Sequence, residues 1–398
     1  MSLPKQELPV IVVGGGLGGL STALALGQQG RPVRLLEQSD EIAPIGYGVQ
    51  IGPNVMPVLA RLGVEAEVRK AAYYPDNLHL LDAGSGQTLF DIPLKGPAFE
   101  QRFPTPYISI HRVDLHEILL TACRRLTNID LNQATTVTGF SQEGDTMLVH
   151  AADGRVITGA ALVAADGLRS RLRTQLHPSD TWRETGYSAH RTIVARDKAP
   201  QRMRNRRGVT MLTGDGFHVI YYPLRGGSEI NIVGVFQVPT AAEPADKAYQ
   251  DRIAHLIERA VPEVHDVVGV LNLSRRWPIA DREPVRGWHR GRMTLLGDSA
   301  HATLQSLAQG AGMALEDAVT LGDLMAAHPG EPAAAFAEFE RKRFLRTARV
   351  VLESRALWPV YHCAGIEAEV RNKQMQDRKA EDYYRCLEWL WTSAIERR

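Results

Sequence analysis

Gly14, Gly16 and Gly19 stand in the spacing Gly-x-Gly-x-x-Gly, directly after the apolar run Val10-Ile11-Val12-Val13. A turn of that spacing lets backbone amides approach a pyrophosphate closely. A helix opening from it presents unpaired amides and a positive dipole end to the same charge. Glu37 closes the next apolar run, Val33-Arg34-Leu35-Leu36, about twenty residues on, where a carboxylate accepts hydrogen bonds from an adenosine ribose. Alone, this pattern leaves the dinucleotide open between FAD and NAD. Two later motifs carry carboxylates at strand ends: Ala164-Ala165-Asp166-Gly167, and Gly297-Asp298-Ser299-Ala300-His301 after Met293-Thr294-Leu295-Leu296. Such carboxylates suit ribose or ribitol hydroxyls. Gln309-Gly310 opens a helix whose N-terminus suits the pyrimidine edge of a flavin, where negative charge gathers on reduction. Three motifs in this order point to FAD.

A second polar set lies in Phe217-His218-Val219-Ile220-Tyr221-Tyr222. Side chains alternate along a strand, so His218, Ile220 and Tyr222 share one face, with His218 and Tyr222 roughly 13 Å apart. That span frames the two ends of an aromatic ligand, and it equally suits packing between the sheet and a nucleotide-binding domain. A histidine titrating near neutrality is suited to take a phenolic proton. His301, directly after Asp298-Ser299-Ala300, is a second candidate base or a structural histidine. The basic run Arg202-Met203-Arg204-Asn205-Arg206-Arg207 could attract an anionic nicotinamide cofactor or be a solvated loop face.

The elements that must position these residues read as follows. A strand at Val10–Val13, a helix over Leu20–Gln29 ended by Gly30 and a strand at Val33–Glu37 form a parallel unit. A helix is expected over 54–62. From Ala72 short alternating segments suggest antiparallel sheet. Helical spacing returns over 113–126, and 130–165 reads as a meander closing on the strand Ala161–Ala165. Antiparallel texture recurs over 186–238, with 217–224 and 229–237 joined by the glycine-rich turn Arg225-Gly226-Gly227-Ser228. The last fifty or so residues are amphipathic and helical, ending in Leu387, Trp389, Leu390 and Trp391. The fold class is α/β. A Rossmann-like nucleotide-binding domain over 1–71, 98–180 and 280–350 is interleaved with a sheet-rich substrate domain over 72–97 and 181–279, followed by a C-terminal helical segment over 351–398.

Composition bounds the function. With 398 residues, 44% hydrophobic and 23% charged, the chain can bury a core of its own. A net charge of +1 gives no electrostatic reason to expect nucleic acid or an anionic membrane as partner. Cys123, Cys363 and Cys386 form no Cys-x-x-Cys pair, which argues against a disulfide framework and a metal site and suits a reducing compartment. No run approaches the roughly 18 apolar residues of a membrane span, and the first residues lack the pattern of a signal peptide. A cytoplasmic protein is expected.

From Val10 to the C-terminal helices the chain resembles the flavoprotein aromatic hydroxylases, single-component FAD monooxygenases of the p-hydroxybenzoate hydroxylase type. The resemblance implies that the first motif holds the ADP half of a tightly but non-covalently bound FAD. Asp166 and Gly167 would hold FAD and influence NAD(P)H binding, and Gly297-Asp298 would bind the ribityl chain. Arg112, in Ile110-His111-Arg112-Val113-Asp114-Leu115, matches an arginine that contacts the pyrophosphate. The segment Gly46 to Asn54, with Val49 and Gln50, matches one beside the mobile isoalloxazine. No second Gly-x-Gly-x-x-Gly exists, as in a family whose reductant binds transiently.

Within the family the details resemble those of 3-hydroxybenzoate 6-hydroxylases. Gln305 stands where a second proline is common in the segment after His301, and Ala302 departs from the first. Tyr361-His362-Cys363-Ala364-Gly365, Val370-Arg371-Asn372 and Trp389-Leu390 also look like that subgroup. The implied reaction takes hydride from NADH (or NADPH), forms a flavin hydroperoxide with dioxygen, and converts 3-hydroxybenzoate to 2,5-dihydroxybenzoate. His218 would be the base that ionises the phenol, Gln305 would hydrogen-bond the phenol or the hydroperoxide, and Tyr222 would orient the ring or its carboxylate. A homodimer is implied, with Trp389 to Trp391 as a packing surface; a terminal helix folded onto its own core explains those tryptophans equally well. The rival readings are a decarboxylating salicylate-type or hydroxynicotinate-type hydroxylase, and a flavin reductase or dehydrogenase that does not activate oxygen.

Overall fold

Val10–Val13 is buried along its whole length, and parallel strands flank it on both sides, Val33–Leu36 and Ala161–Ala164. The structure is a computed structural model describing residues 7–42, 46–238, 246–393 and 395. In the six-stranded sheet, Met293–Leu295 extends the parallel order beyond Ala161–Ala164, and His289–Arg290 adds an antiparallel edge. The other side ends in Ile129–Asn132, parallel to Val33–Leu36. That strand, read from sequence as the start of the meander, belongs instead to the nucleotide-binding sheet. The meander is three antiparallel strands, Val137–Glu143, Thr146–Ala151 and Val156–Gly159. The first helix spans Leu17–Gly27, starting earlier than its apolar periodicity indicated, because the Gly16 carbonyl already accepts from Leu20 N at 3.0 Å.

The second sheet has seven strands in the spatial order Trp277–Arg282, Trp182–Ala195, Glu229–Gln237, Phe217–Leu224, Val209–Gly214, Asn77–Asp82 and Thr88–Pro93. Every join is antiparallel except that of Val209–Gly214 with Asn77–Asp82, which is parallel. The sheet is therefore mixed, because the chain enters it twice: once as the hairpin 77–93 and again from Trp182 onward.

The C-terminal helices Pro332–His362, Gly365–Gln376 and Ala380–Trp391 fold back on this frame. Trp391 is buried against Phe103 and Tyr107, with ring centroids 5.2 and 5.6 Å away, and the Arg349 guanidinium lies 3.7 Å over Trp389. Trp391 thus packs onto the chain's own core, as one of the two readings of these tryptophans expects. Among the described residues no helix is long and apolar enough to cross a membrane.

Candidate active site

The glycine loop is built from close approaches that only glycine permits. Gly14 adopts φ +107°, and a Cβ there would lie 2.4 Å from the Ala165 carbonyl oxygen. At Gly19 a Cβ would stand 1.8 Å from the Gly14 carbonyl oxygen, so this glycine lets the helix sit directly on the strand. Gly16 differs: nothing lies within 4 Å of its Cβ position, and it caps the helix without any side-chain bond. Its space is open to a ligand. Glu37 sits at the expected strand end, where Oε2 accepts from Gly15 N at 2.6 Å and Oε1 from Ser39 N at 2.9 Å. His116, which the sequence did not single out, is buried and bonds the Gly15 carbonyl through Nε2 at 2.8 Å.

Asp166 follows the Ala161–Ala164 strand, and its Oδ2 accepts from Arg171 N at 3.1 Å. Its Oδ1 is buried without a partner, and burial pushes the carboxyl pKa up. A buried acceptor left unpaired costs about 1–3 kcal/mol, so the position is suited to a ligand hydroxyl that donates to it. Asp298 begins the turn Asp298–His301, solvent-exposed and on the cavity wall. That turn is anchored from below. Gly297 N donates to Asp317 Oδ2 at 3.1 Å, and His301 Nε2 lies 2.5 Å from the same oxygen. Burial pushes Asp317 up, but His301 and Arg343 beside it hold its pKa down at about 2. His301 thus serves the scaffold and does not face the cavity lining.

One cavity of about 560 Å³ gathers most of the predicted set: Gly16, Val49, Gln50, Arg112, Gly167, His218, Tyr222, Asp298, Gln305 and Gly310. Gly14, Gly19, Glu37 and Asp166 stand behind that wall. Val49 and Gln50 lie on the strand Gly48–Ile51, paired with Ile108–His111. Gly48 brings this strand onto the second sheet, since a Cβ there would meet Tyr222 Cε2 at 2.6 Å, and Gly48 N donates to Asn231 Oδ1 at 2.7 Å. Arg112 opens the helix Arg112–Arg124 with its side chain exposed at the cavity rim and its amide on the Tyr47 carbonyl at 2.8 Å. Gln50 Oε1 accepts from Tyr107 OH at 2.5 Å, and burial raises the pKa of Tyr222, so both phenols stay protonated at neutral pH.

His218, Ile220 and Tyr222 share the cavity face of the strand Phe217–Leu224, as the alternation requires. His218 Nε2 lies 3.4 Å from Gln305 Nε2, joining the sheet to the loop before Gly310. Its Nδ1 lies 2.8 Å from Nε2 of His362, at the end of the helix Pro332–His362. Burial, then the neighbouring His362, pulls the His218 pKa well below the ordinary imidazole value, so its resting form is neutral.

Two lining residues carry chemistry that the sequence reading missed. The Arg191 guanidinium lies 5.9 Å over Tyr47 and 5.7 Å over Trp277, and among the described residues no carboxylate pairs with it. An anion in the cavity would find it free. Tyr361 also lines the cavity, its pKa raised to about 12 by burial. An arginine in the middle of an alternating strand was the available signal for the first. By contrast three arginines of the basic run 202–207 are paired elsewhere: Arg202 with Asp266, Arg206 with Glu263 and Arg207 with Asp76.

The fit to FAD rests on the open Gly16 cap, the orphaned Asp166 Oδ1, the exposed Asp298 and the Gly310 helix N-terminus around one cavity. A dinucleotide cradle opening onto a polar sheet face is the arrangement of an FAD-dependent monooxygenase. The chain belongs to the FAD-dependent aromatic hydroxylases: the family profile described as FAD binding domain matches residues 7–353. It is 37% identical over 392 residues to the 3-hydroxybenzoate 6-hydroxylase of Polaromonas naphthalenivorans (strain CJ2), covering 98% of this chain and 97% of that one. To the 3-hydroxybenzoate 6-hydroxylase of Klebsiella oxytoca it is 38% identical over 387 residues, 97% of each chain. Among solved structures, Klebsiella pneumoniae HpxO complexed with FAD and uric acid matches with a TM-score of 0.85 at 25% identity, over 96% of both chains.

Proposed function

We propose that this enzyme hydroxylates 3-hydroxybenzoate to 2,5-dihydroxybenzoate, consuming NADH and dioxygen. The observation that carries the reading is the contact of His218 with Gln305 on the cavity wall at 3.4 Å, with Tyr222 on the same strand face as His218. FAD, when bound, supplies acceptance of hydride and activation of dioxygen. Gly14, Gly16 and Gly19 would admit its pyrophosphate, with Glu37 and Arg112 on the ADP half. Asp166, Gly167 and Asp298 would hold its sugar-like hydroxyls, and Val49, Gln50 and the Gly310 amides would border its ring. His218 takes the phenolic proton at Nε2, which makes the ring electron-rich where oxygen must add. Gln305 hydrogen-bonds the same phenol oxygen. The substrate carboxylate reaches toward Tyr222 and the unpaired Arg191 guanidinium, a charge-assisted contact that a neutral phenol cannot make. Ala302, Leu304 and Leu307 exclude water from the reacting centre. The reductant visits transiently, the seven-stranded sheet forms the substrate domain, and the enzyme works as a cytoplasmic homodimer.

The test is NADH oxidation across a panel of hydroxybenzoates with products identified. Tight coupling with 3-hydroxybenzoate and release of 2,5-dihydroxybenzoate is the expected result. Carbon dioxide release from salicylate or 6-hydroxynicotinate as the best-coupled substrate overturns it in favour of the decarboxylating class, and oxygen-independent turnover overturns the hydroxylase reading.

A further inference from the structure

His362 lies outside the cavity lining, yet it is the only described side chain within hydrogen-bond distance of His218 Nδ1. The two rings are nearly parallel, 5.0 Å between centroids and 26° between planes, and both are buried. His362 is boxed by Tyr187 at 4.5 Å and Trp358 at 4.8 Å between centroids, and its own Nδ1 is buried without a partner. The helix end that carries it is tied down at three points. Its carbonyl accepts from Gly216 N at 3.3 Å, the Tyr361 carbonyl accepts from Thr213 Oγ1, and Arg371 Nη1 donates to the Val360 carbonyl at 3.0 Å. Arg371 in turn pairs with Asp82. A histidine held this firmly against another is a registered contact and not a by-product of packing.

We infer that His362 is a positioning residue that fixes the tautomer of His218 for proton acceptance, an inference that rests on the reading of His218 as the phenol base. A neutral imidazole donates from one nitrogen and accepts at the other. If Nδ1 of His218 donates to Nε2 of His362, Nε2 of His218 must carry a lone pair, and that nitrogen is the one aimed at the Gln305 amide and the cavity. Both contacts select the same tautomer. When substrate ionises, the phenol O–H bond breaks, the electron pair stays on oxygen, and the proton forms a new N–H bond at His218 Nε2. The resulting positive charge is shared with His362 through the Nδ1–H···Nε2 bond, in a box that otherwise resists charge. The groups facing the pair are Tyr187 and Tyr361, whose phenols burial keeps protonated, and Arg371, already matched by Asp82. None of these replaces the acceptor.

The test compares wild-type holoenzyme with His362→Leu, His362→Gln and His218→Ala. Ionisation of bound 3-hydroxybenzoate is read by ultraviolet difference absorbance against pH, alongside kcat, KM and flavin content. His362→Leu should raise the apparent pKa of the bound phenol by about one unit or more and lower kcat at least tenfold, with KM within about threefold. His362→Gln, whose amide oxygen restores an acceptor, should recover both readouts to within about threefold. His218→Ala should abolish phenol ionisation with FAD retained and lower kcat by roughly 100-fold. An unchanged phenol titration in His362→Leu overturns the inference while leaving the base assignment standing. Normal ionisation in His218→Ala overturns the base assignment itself. Should His362→Leu fold poorly, 15N-histidine NMR of the wild-type holoenzyme, assigned by loss of signal in His218→Ala, decides: a proton on His218 Nδ1 supports the inference, and a proton on Nε2 overturns it.

Discussion

Replacing Gly16 with alanine separates what the glycine loop does for the fold from what it does for a ligand. Gly16 sits at φ −76° and ψ −176°, extended backbone that alanine adopts freely, and no atom lies within 4 Å of the added Cβ. The apoprotein should therefore be no less stable, and gains of about 0.4–1 kcal/mol are expected from the smaller entropy of the unfolded chain. Bound FAD changes the outcome. The methyl occupies the space through which a phosphate must approach the helix amides, and a lost charge-assisted hydrogen bond is worth about 1.5–3 kcal/mol, or roughly 10- to 150-fold in Kd. Gly19→Ala is the contrasting case. Its Cβ would stand 1.8 Å from the Gly14 oxygen, so helix and strand must part by more than 1 Å before the contact reaches 3.0 Å. That variant should be destabilised with or without cofactor. The assay is thermal unfolding of both apoproteins beside a titration of flavin fluorescence quenching. An apo Gly16→Ala that unfolds as early as Gly19→Ala, or one that binds FAD as tightly as wild type, refutes the reasoning.

Three other perturbations follow from the same structure. Arg343→Met should cost about 3–5 kcal/mol, because Glu316 and Asp317 are fully buried carboxylates and lose its 2.8 and 2.6 Å contacts. Urea denaturation measures the loss, and a change under 1 kcal/mol would contradict it. Arg191→Met should raise the KM for 3-hydroxybenzoate at least tenfold with flavin content unchanged; an equal effect on FAD retention would assign Arg191 to the cofactor instead. Burial lowers the pKa of His190 and of His362 to about 4 from an ordinary value near 6.5. The unfolded chain then binds protons that the folded rings refuse, so stability is full above about pH 6.5 and falls as pH drops toward 4, by about 3 kcal/mol for each ring. Urea midpoints at pH 7.5 and 4.5 check this, and His190→Gln should shallow the slope.

The nucleotide-binding half was legible in the sequence because its signals are local. The strand Val10–Val13, the glycines and Glu37 lie within one unit whose hydrogen bonds close on themselves, and the carboxylates Asp166 and Asp298 follow apolar runs that could only be buried strands. The errors lie where partners are distant in sequence. Nothing local distinguishes Ile129–Asn132 as the edge of the parallel sheet from the start of a meander, since its neighbour Val33–Leu36 is nearly one hundred residues away. The parallel join of Val209–Gly214 with Asn77–Asp82 is hidden for the same reason. His218 and Tyr222 were legible as a pair because strand alternation is a local rule. His362 was quoted as part of a subgroup-like segment, but its contact with His218 spans 144 residues and no periodicity predicts it. Arg191 reads as an ordinary strand residue until Tyr47 and Trp277 are seen to flank it.

The loop from Gly297 to Gly310 joins the two halves of the chemistry, and its anchoring decides which side of the cavity can change. It supplies Asp298, Gln305 and the Gly310 N-terminus in one short segment. Its ends and middle are held at Asp317 through Gly297 and His301, at the Ala164 carbonyl through Ser299, at the Ser354 carbonyl through Ser306, and at Asn54 through Gln309. Ala308 is held at φ +53°, a conformation that costs a non-glycine residue about 1–3 kcal/mol and persists only where the surroundings impose it. A segment so constrained cannot move Gln305 without moving Asp298, so a variant that retunes substrate from this side would disturb the cofactor as well. The opposite wall meets the cofactor side at Gly48, whose amide donates to Asn231 Oδ1 at 2.7 Å. Met211, Ile220, Val233 and Arg191 form one row across four strands of the second sheet, each free to change size or charge while the backbone ladder stays intact. Exchanges along that row should therefore alter which ring is accepted before they alter whether FAD is held.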